Sequence, residues 1–268
     1  MNEKILFEAQ KLQSQIVTES EQAIANIAMD MVKKLLLDDE CLLSCLLYYP
    51  YIKTAIYKAP SEKEFKTFDE TKRKQEEERK EKIEEARLNF KRNIAATFGD
   101  GVLSFLHALK KLLEIDYKNQ EEEAENIRKM FFALAKDVRI IIVKICFVLA
   151  EIKYIKNQTK NKSESSLLER DLIELKNAEI KSKQVLDLFA PLAARLGLSS
   201  IKSELEDISF EILHYEEYKK ISEMVNKKYK EREVTVDKLK NQIHEFMNEL
   251  GLSGEIMGRK KHIYSIHK

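Results

Sequence analysis

Phe189–Asp207 reads FAPLAARLGLSSIKSELED, and its punctuation is helix, stop, helix. Val185, Leu188, Phe189, Leu192 and Leu196 recur at the three- and four-residue spacing of one helix face. The stripe stops at Gly197, the residue type that most readily takes the left-handed conformation closing a helix. Ser199 or Ser200 then restarts a helix whose apolar face carries Leu205, Ile208 and Ile212. Downstream, a charged helical pattern runs from Tyr218 to about Leu250 and ends at Gly251. Upstream, Asn157–Ser166 is polar and rich in Lys and Ser, a loop by composition, and Ser166 with Glu169 can cap the helix after it. Before that loop, Ile127–Ile155 is apolar on most sides, the pattern of a central helix and the spine of a first domain.

Composition agrees with a mainly α fold. Only 6 Gly and 3 Pro interrupt 268 residues, and β-branched alternation is nearly absent. This length accommodates about two domains with a well-buried core. Charged residues reach 35% against a usual value of about 25%, which implies long solvated helix faces. Acids and bases balance, 46 against 47, so bulk charge provides no footprint for nucleic acid. Three cysteines, Cys41, Cys45 and Cys146, form no disulfide pattern, and Met1–Gln10 lacks the basic-then-apolar layout of a signal peptide. A reducing cytoplasmic setting is expected. Ile140–Ala150, the longest apolar stretch, is broken by Lys144 and far shorter than the roughly 20 residues that cross a bilayer, so no membrane partner is expected.

In the N-terminal half, Thr18–Glu21 has the reciprocal capping pattern and precedes Ile24, Ile27, Met31 and Leu35 at helical spacing. A second apolar helix, Cys41–Tyr48, follows the Asp38-Asp39-Glu40 break. Pro60, Ser61 and Glu64 mark another helix start. Asp69–Arg87 is charged at nearly every position, with Glu70–Lys74, Glu76–Lys80 and Glu78–Lys82 spaced for ion pairs, the signature of an exposed helix or an insertion over about 61–93. Gly99 and Gly101 mark a turn before the stripe Val102, Phe105, Leu106, Leu109 and Leu112. His107 on that segment reads as a surface or packing residue.

Two blocks carry a resemblance. Phe189–Asp207 and Gly258–Lys268, which reads GRKKHIYSIHK, closely resemble the RelA/SpoT family, which makes and breaks the alarmones guanosine tetraphosphate and pentaphosphate. Phe98–Leu112, and Glu125–Met130 leading to Asp137-Val138-Arg139, match more weakly in the same order. The resemblance implies an HD-domain-like helical bundle over residues 1–195, a helical connector over 196–250, and over 251–268 the first strand of a truncated synthetase domain.

In that family the helical domain is a metal-dependent hydrolase that removes the 3′ pyrophosphate. Its chemistry needs imidazoles and carboxylates around a divalent ion that activates water. Here the first histidine in the sequence is His107, so the family's early ligand histidine has no counterpart. The family's Leu-Leu-His-Asp run matches Leu46, Leu47, Tyr48 and Tyr49, and its Glu-Asp pair falls at Ile52 and Lys53. The last ligand aspartate falls at Phe147, and the histidine and asparagine after it at Ala150 and Glu151. With every ligand replaced, the resemblance implies a pseudo-hydrolase without bound Mn. Tyr48, Tyr49, Tyr51 and Phe147 are large enough to fill the vacated pocket, or they are ordinary core residues. An alternative is a live hydrolase that uses Asp38, Asp39, Glu40 or Cys41 and Cys45.

By the same resemblance, Arg259, Lys261 and Ser265, with His262 and Lys268, are nucleotide-binding candidates, because arginine and lysine suit the phosphates of a pyrophosphate donor. Read by itself, the basic triplet Arg259-Lys260-Lys261 is a solvated tail. The family's metal-binding aspartate and catalytic glutamate lie beyond Lys268, so the chain alone is expected to be inactive, with no catalytic residue and no cofactor of its own. The full enzyme is expected to be a GTP pyrophosphokinase of the stringent response that uses Mg and ATP to modify GDP or GTP. Its expected partners are its own downstream synthetase domain and the ribosome, the latter through regions outside this chain. A helical scaffold whose charged helices Asp69–Arg87 and Glu216–Leu250 bind a partner is the other alternative.

Overall fold

The computed structural model describes residues 3–54, 70–113, 137–160, 169–254, 256 and 261–268, with side chains left out at 159, 160, 169–175 and 227–237. The chain packs as two compact units, Met1–Tyr154 and Ile155–Lys268. Among the described residues all regular structure is helical.

The first unit holds α1 (Glu3–Ile16), α2 (Glu19–Lys34), α3 (Asp39–Lys53), α4 (Glu70–Phe98), α5 (Asp100–Leu113) and most of α6 (Val138–Lys160). Helix α2 begins at the capping box: Thr18 accepts from the Glu21 N–H, and the Glu21 carboxylate accepts from the Thr18 N–H at 2.8 Å. The Asp38-Asp39-Glu40 break is the start of α3, with the Asp38 side chain accepting the Cys41 N–H at 3.1 Å. Helix α3 is the centre of this unit. It packs against α1, α2 and α5, and every residue from Cys41 to Tyr51 is buried. A helix enclosed on all sides has little amphipathicity, which is why its sequence is apolar all round.

Helix α4 is the charged segment, and most of its length is exposed. The ion pairs seen on it join Glu76 to Arg79 and Glu84 to Arg87, three residues apart. The left-handed turn is at Gly99 alone, whereas Gly101 lies in the first turn of α5. The described part of the expected spine is helical and almost continuously buried from Ile140 to Ala150. That helix runs on through Asn157 to Lys160, correcting the loop expected there. The polar side chains of Asn157 and Gln158 are exposed, so the helix needs no apolar face at its end. The helix start at Pro60, the Glu125–Met130 block and the Ser166 cap lie outside the described residues.

The second unit holds α7 (Glu169–Gln184), a π turn at Val185–Phe189, α8 (Ala190–Arg195), α9 (Ser199–Leu213), α10 (Tyr215–Glu249) and a helical turn, α11 (Tyr264–His267). Gly197 closes α8 with φ +75° and Gly251 closes α10 with φ +64°. Helix α9 touches α7, α8, α10 and α11. The described end of the terminal segment is a helical turn where the sequence suggests a strand edge or a loop entering one.

Candidate functional site

Helix α3 delivers Tyr48 and Tyr49, and α6 delivers Phe147. The three rings touch, with centroids 5.2 Å apart for Tyr48–Tyr49, 5.1 Å for Tyr48–Phe147 and 6.0 Å for Tyr49–Phe147. Tilted and edge-on contacts at these distances are the favourable ones for aromatic pairs. Phe147 and Ala150 are fully buried, and the two tyrosines are at most 9% exposed. Burial pushes the Tyr49 phenol well above its ordinary value, and the nearby Glu151 carboxylate pushes it the same way. A phenol held neutral in this manner is a poor ligand for a divalent cation.

Ile52 and Lys53 lie at the half-exposed end of α3, and Glu151 is half-buried on α6. The Lys53 ammonium sits 2.5 Å from the Glu21 carboxylate of α2. That contact, with the Thr18 cap, holds the Glu21 carboxyl below its usual range against the effect of burial. Tyr51 is buried two residues beyond Tyr49, and its hydroxyl lies 3.4 Å from Nδ1 of the exposed His107 on α5. Three of the four aromatic candidates thus form one cluster, while the hydroxyl of the fourth meets α5.

Of the alternative metal groups, Asp38 and Glu40 engage Arg139 and the two cysteines are buried. The Arg139 guanidinium binds Asp38, lies 3.2 Å from Glu40 and is 2.6 Å from Asp137. Burial acts to raise the Asp38 carboxyl, but the Cys41 N–H and Arg139 outweigh it and hold it low; Arg139 does the same for Asp137. The three thiols are buried. Burial drives Cys41 and Cys45 far up and Cys146 to about 12, so none is a thiolate at neutral pH. No group of three His, Cys, Asp or Glu among the described residues is placed to hold a metal.

The Arg139 cluster was not legible in the sequence. Asp137 is two positions away in the chain, but Asp38 and Glu40 are about a hundred positions away and only the packing of α3 beside α6 brings them together. The surface recess lined by Phe7, Gln10, Gln13, Gln22 and Asn26 belongs to α1 and α2 and includes none of the predicted site residues.

In the second unit the predicted nucleotide residues are partly engaged within the chain. Arg259 lies outside the described residues. Lys261 is exposed; His262 Nδ1 is 3.6 Å from Asp207; Ser265 donates to the His262 carbonyl at 3.0 Å; and the Lys268 ammonium lies 5.4 Å from the centre of the Tyr264 ring. Neither Asp207 nor Phe210, which receive this segment, was singled out from the sequence as a site residue.

Residues 10–199 match the HD domain family, and the chain belongs to it as a RelA/SpoT-type HD domain. A GTP pyrophosphokinase from Myxococcus xanthus is 35% identical over 175 residues, 64% of this chain and 21% of that protein. The bifunctional (p)ppGpp synthase/hydrolase SpoT of Escherichia coli (strain K12) is 32% identical over 171 residues, 63% of this chain and 22% of that protein. A probable guanosine-3′,5′-bis(diphosphate) 3′-pyrophosphohydrolase from Synechocystis sp. is 32% identical over 176 residues, 65% of this chain and 21% of that protein. The chain therefore spans about a fifth of the length of these relatives.

Proposed function

We propose that the first 195 residues are a hydrolase fold emptied of hydrolase chemistry, and that in the full-length protein they regulate a (p)ppGpp synthetase. The observation that supports this most directly is the Tyr48–Tyr49–Phe147 cluster, at the positions where the resemblance places a histidine, an aspartate and the last ligand aspartate. Rings in van der Waals contact leave no room for an ion with its water, and among the described residues no group of three His, Cys, Asp or Glu is placed to hold one. On this reading the region needs no Mn. The synthetase is a GTP pyrophosphokinase that uses Mg and ATP to pyrophosphorylate GDP or GTP, with Arg259, Lys261, His262, Ser265 and Lys268 at its nucleotide site. One relative's name, GTP pyrophosphokinase, supports that activity. Residues 196–250 connect the two parts. The un-ionised, unpaired thiols fit a cytoplasmic setting, and no described helix is long and apolar enough to cross a membrane.

A retained fold can act on a neighbouring domain only through contacts that differ between two states of that domain. The test compares pyrophosphate transfer from ATP to GDP by the full-length protein and by a form lacking residues 1–195. A severalfold change in rate is expected. Equal rates would remove the regulatory role, and no transfer by the full-length protein would remove the synthetase.

A further inference from the structure

The basic terminal segment is received by one face of α9. Asp207 and Phe210 are three residues apart and so share a helix face. Asp207 Oδ1 accepts the Tyr264 N–H at 2.9 Å, and Asp207 Oδ2 lies 3.6 Å from His262 Nδ1. Phe210 is fully buried. Its ring centroid is 5.7 Å from that of Tyr264 and 4.4 Å from that of His267. His267 is further engaged by Glu217, 3.6 Å from its Nδ1, and by the stacked ring of His214. The segment also braces itself: Ser265 donates to the His262 carbonyl at 3.0 Å and the His267 N–H to the Ile263 carbonyl at 3.1 Å. Lys261, next to the anchored His262, remains exposed.

This arrangement does more than bury a tail. The Asp207 carboxylate takes the backbone donor that begins a helical turn, a group that would otherwise need water or a cap. The same carboxylate lies 3.6 Å from the imidazole nitrogen two residues earlier. The backbone from His262 to Tyr264 is thereby anchored, and Lys261, whose charge suits phosphate, immediately precedes it. Ordering a flexible segment costs about 1–2 kcal/mol per residue, so a segment fixed beforehand binds its ligand more tightly.

We infer that Asp207, with Phe210 as its platform, is a positioning residue for nucleotide recognition: it anchors Tyr264 and faces His262 so that the exposed Lys261 meets the phosphates of ATP. The inference rests on the reading of the terminal motif as a nucleotide site. Asp207 does not touch the nucleotide.

The experiment measures pyrophosphate transfer to GDP against ATP concentration for full-length wild type, Asp207→Asn and Asp207→Ala, with thermal unfolding of each. Asn is isosteric and keeps an acceptor for the Tyr264 N–H while losing the charge beside His262; Ala loses both. The KM for ATP is expected to rise about tenfold in Asp207→Ala, the equivalent of about 1.4 kcal/mol, and by a smaller factor in Asp207→Asn, with kcat within about twofold of wild type. Asp207→Asn is the arm that decides if Asp207→Ala fails to fold. An active wild type whose variants keep its KM and lose only melting temperature, or lose kcat alone, would overturn the positioning role. A wild type that transfers no pyrophosphate would overturn the reading of the motif, and this inference with it.

Discussion

Phe147 stands where the resemblance to the RelA/SpoT family places a ligand aspartate. It is fully buried and touches both tyrosines. Truncation to Ala is expected to cost about 3–5 kcal/mol, read from the urea midpoint at unchanged m-value. Phe147→Asp should destabilise at least as much and confer no metal binding, because it buries an unpaired carboxyl among rings. That aromatic rings stand at 48, 49 and 147 was legible in the sequence, because it needs only residue types at named positions. The surroundings of Arg139 were not. Its carboxylate partners Asp38 and Asp137 have depressed pKa values in the fold, so they contribute stability that is present above their unfolded values and is lost as pH falls through the folded ones. Arg139→Gln is therefore expected to cost about 1–2 kcal/mol near neutral pH, a modest figure because the cluster is a third exposed or more over much of its area. The deficit relative to wild type should shrink below about pH 4, where the carboxylates protonate. A deficit independent of pH would show that Arg139 acts through packing alone.

Helix ends show a second pattern. Helices α2, α8 and α10 close with the same pair of reversed hydrogen bonds: Leu37 N–H to the Val32 carbonyl and Leu36 to Lys33, Leu198 to Ala193 and Gly197 to Ala194, Leu252 to Met247 and Gly251 to Asn248. Two of these motifs put glycine at the left-handed position, while α2 puts Leu36 there, at φ +56° and 91% exposed. A left-handed leucine costs about 1–2 kcal/mol of backbone strain and here gains little by burial. Leu36→Gly is expected to raise stability by about 0.5–1 kcal/mol after the entropy of the unfolded glycine is subtracted, and Gly197→Ala to lower it by about 1 kcal/mol. Denaturant midpoints check both signs. Glycine stops and the Thr18 box were readable because the residue type itself carries the conformation. The stop at Leu36 and the π turn at Val185–Phe189 were not, because neither carries a residue type characteristic of its backbone.

At the scale of the whole molecule, a helical chain with a buried central helix was legible from sparse Gly and Pro and from the apolar runs of α3 and α6. The division near Tyr154 was not, since α6 passes through it without a break in its periodicity. The HD domain match covers residues 10–199, and on the proposed reading its catalytic positions have become packing, which would set this chain apart from relatives whose names include hydrolysis. The most direct measurement is pyrophosphate release from guanosine tetraphosphate by the full-length protein with Mn²⁺. The expected result is no release above the protein-free rate at any metal concentration. Sustained turnover that depends on the metal would contradict an HD site closed by Tyr48, Tyr49 and Phe147.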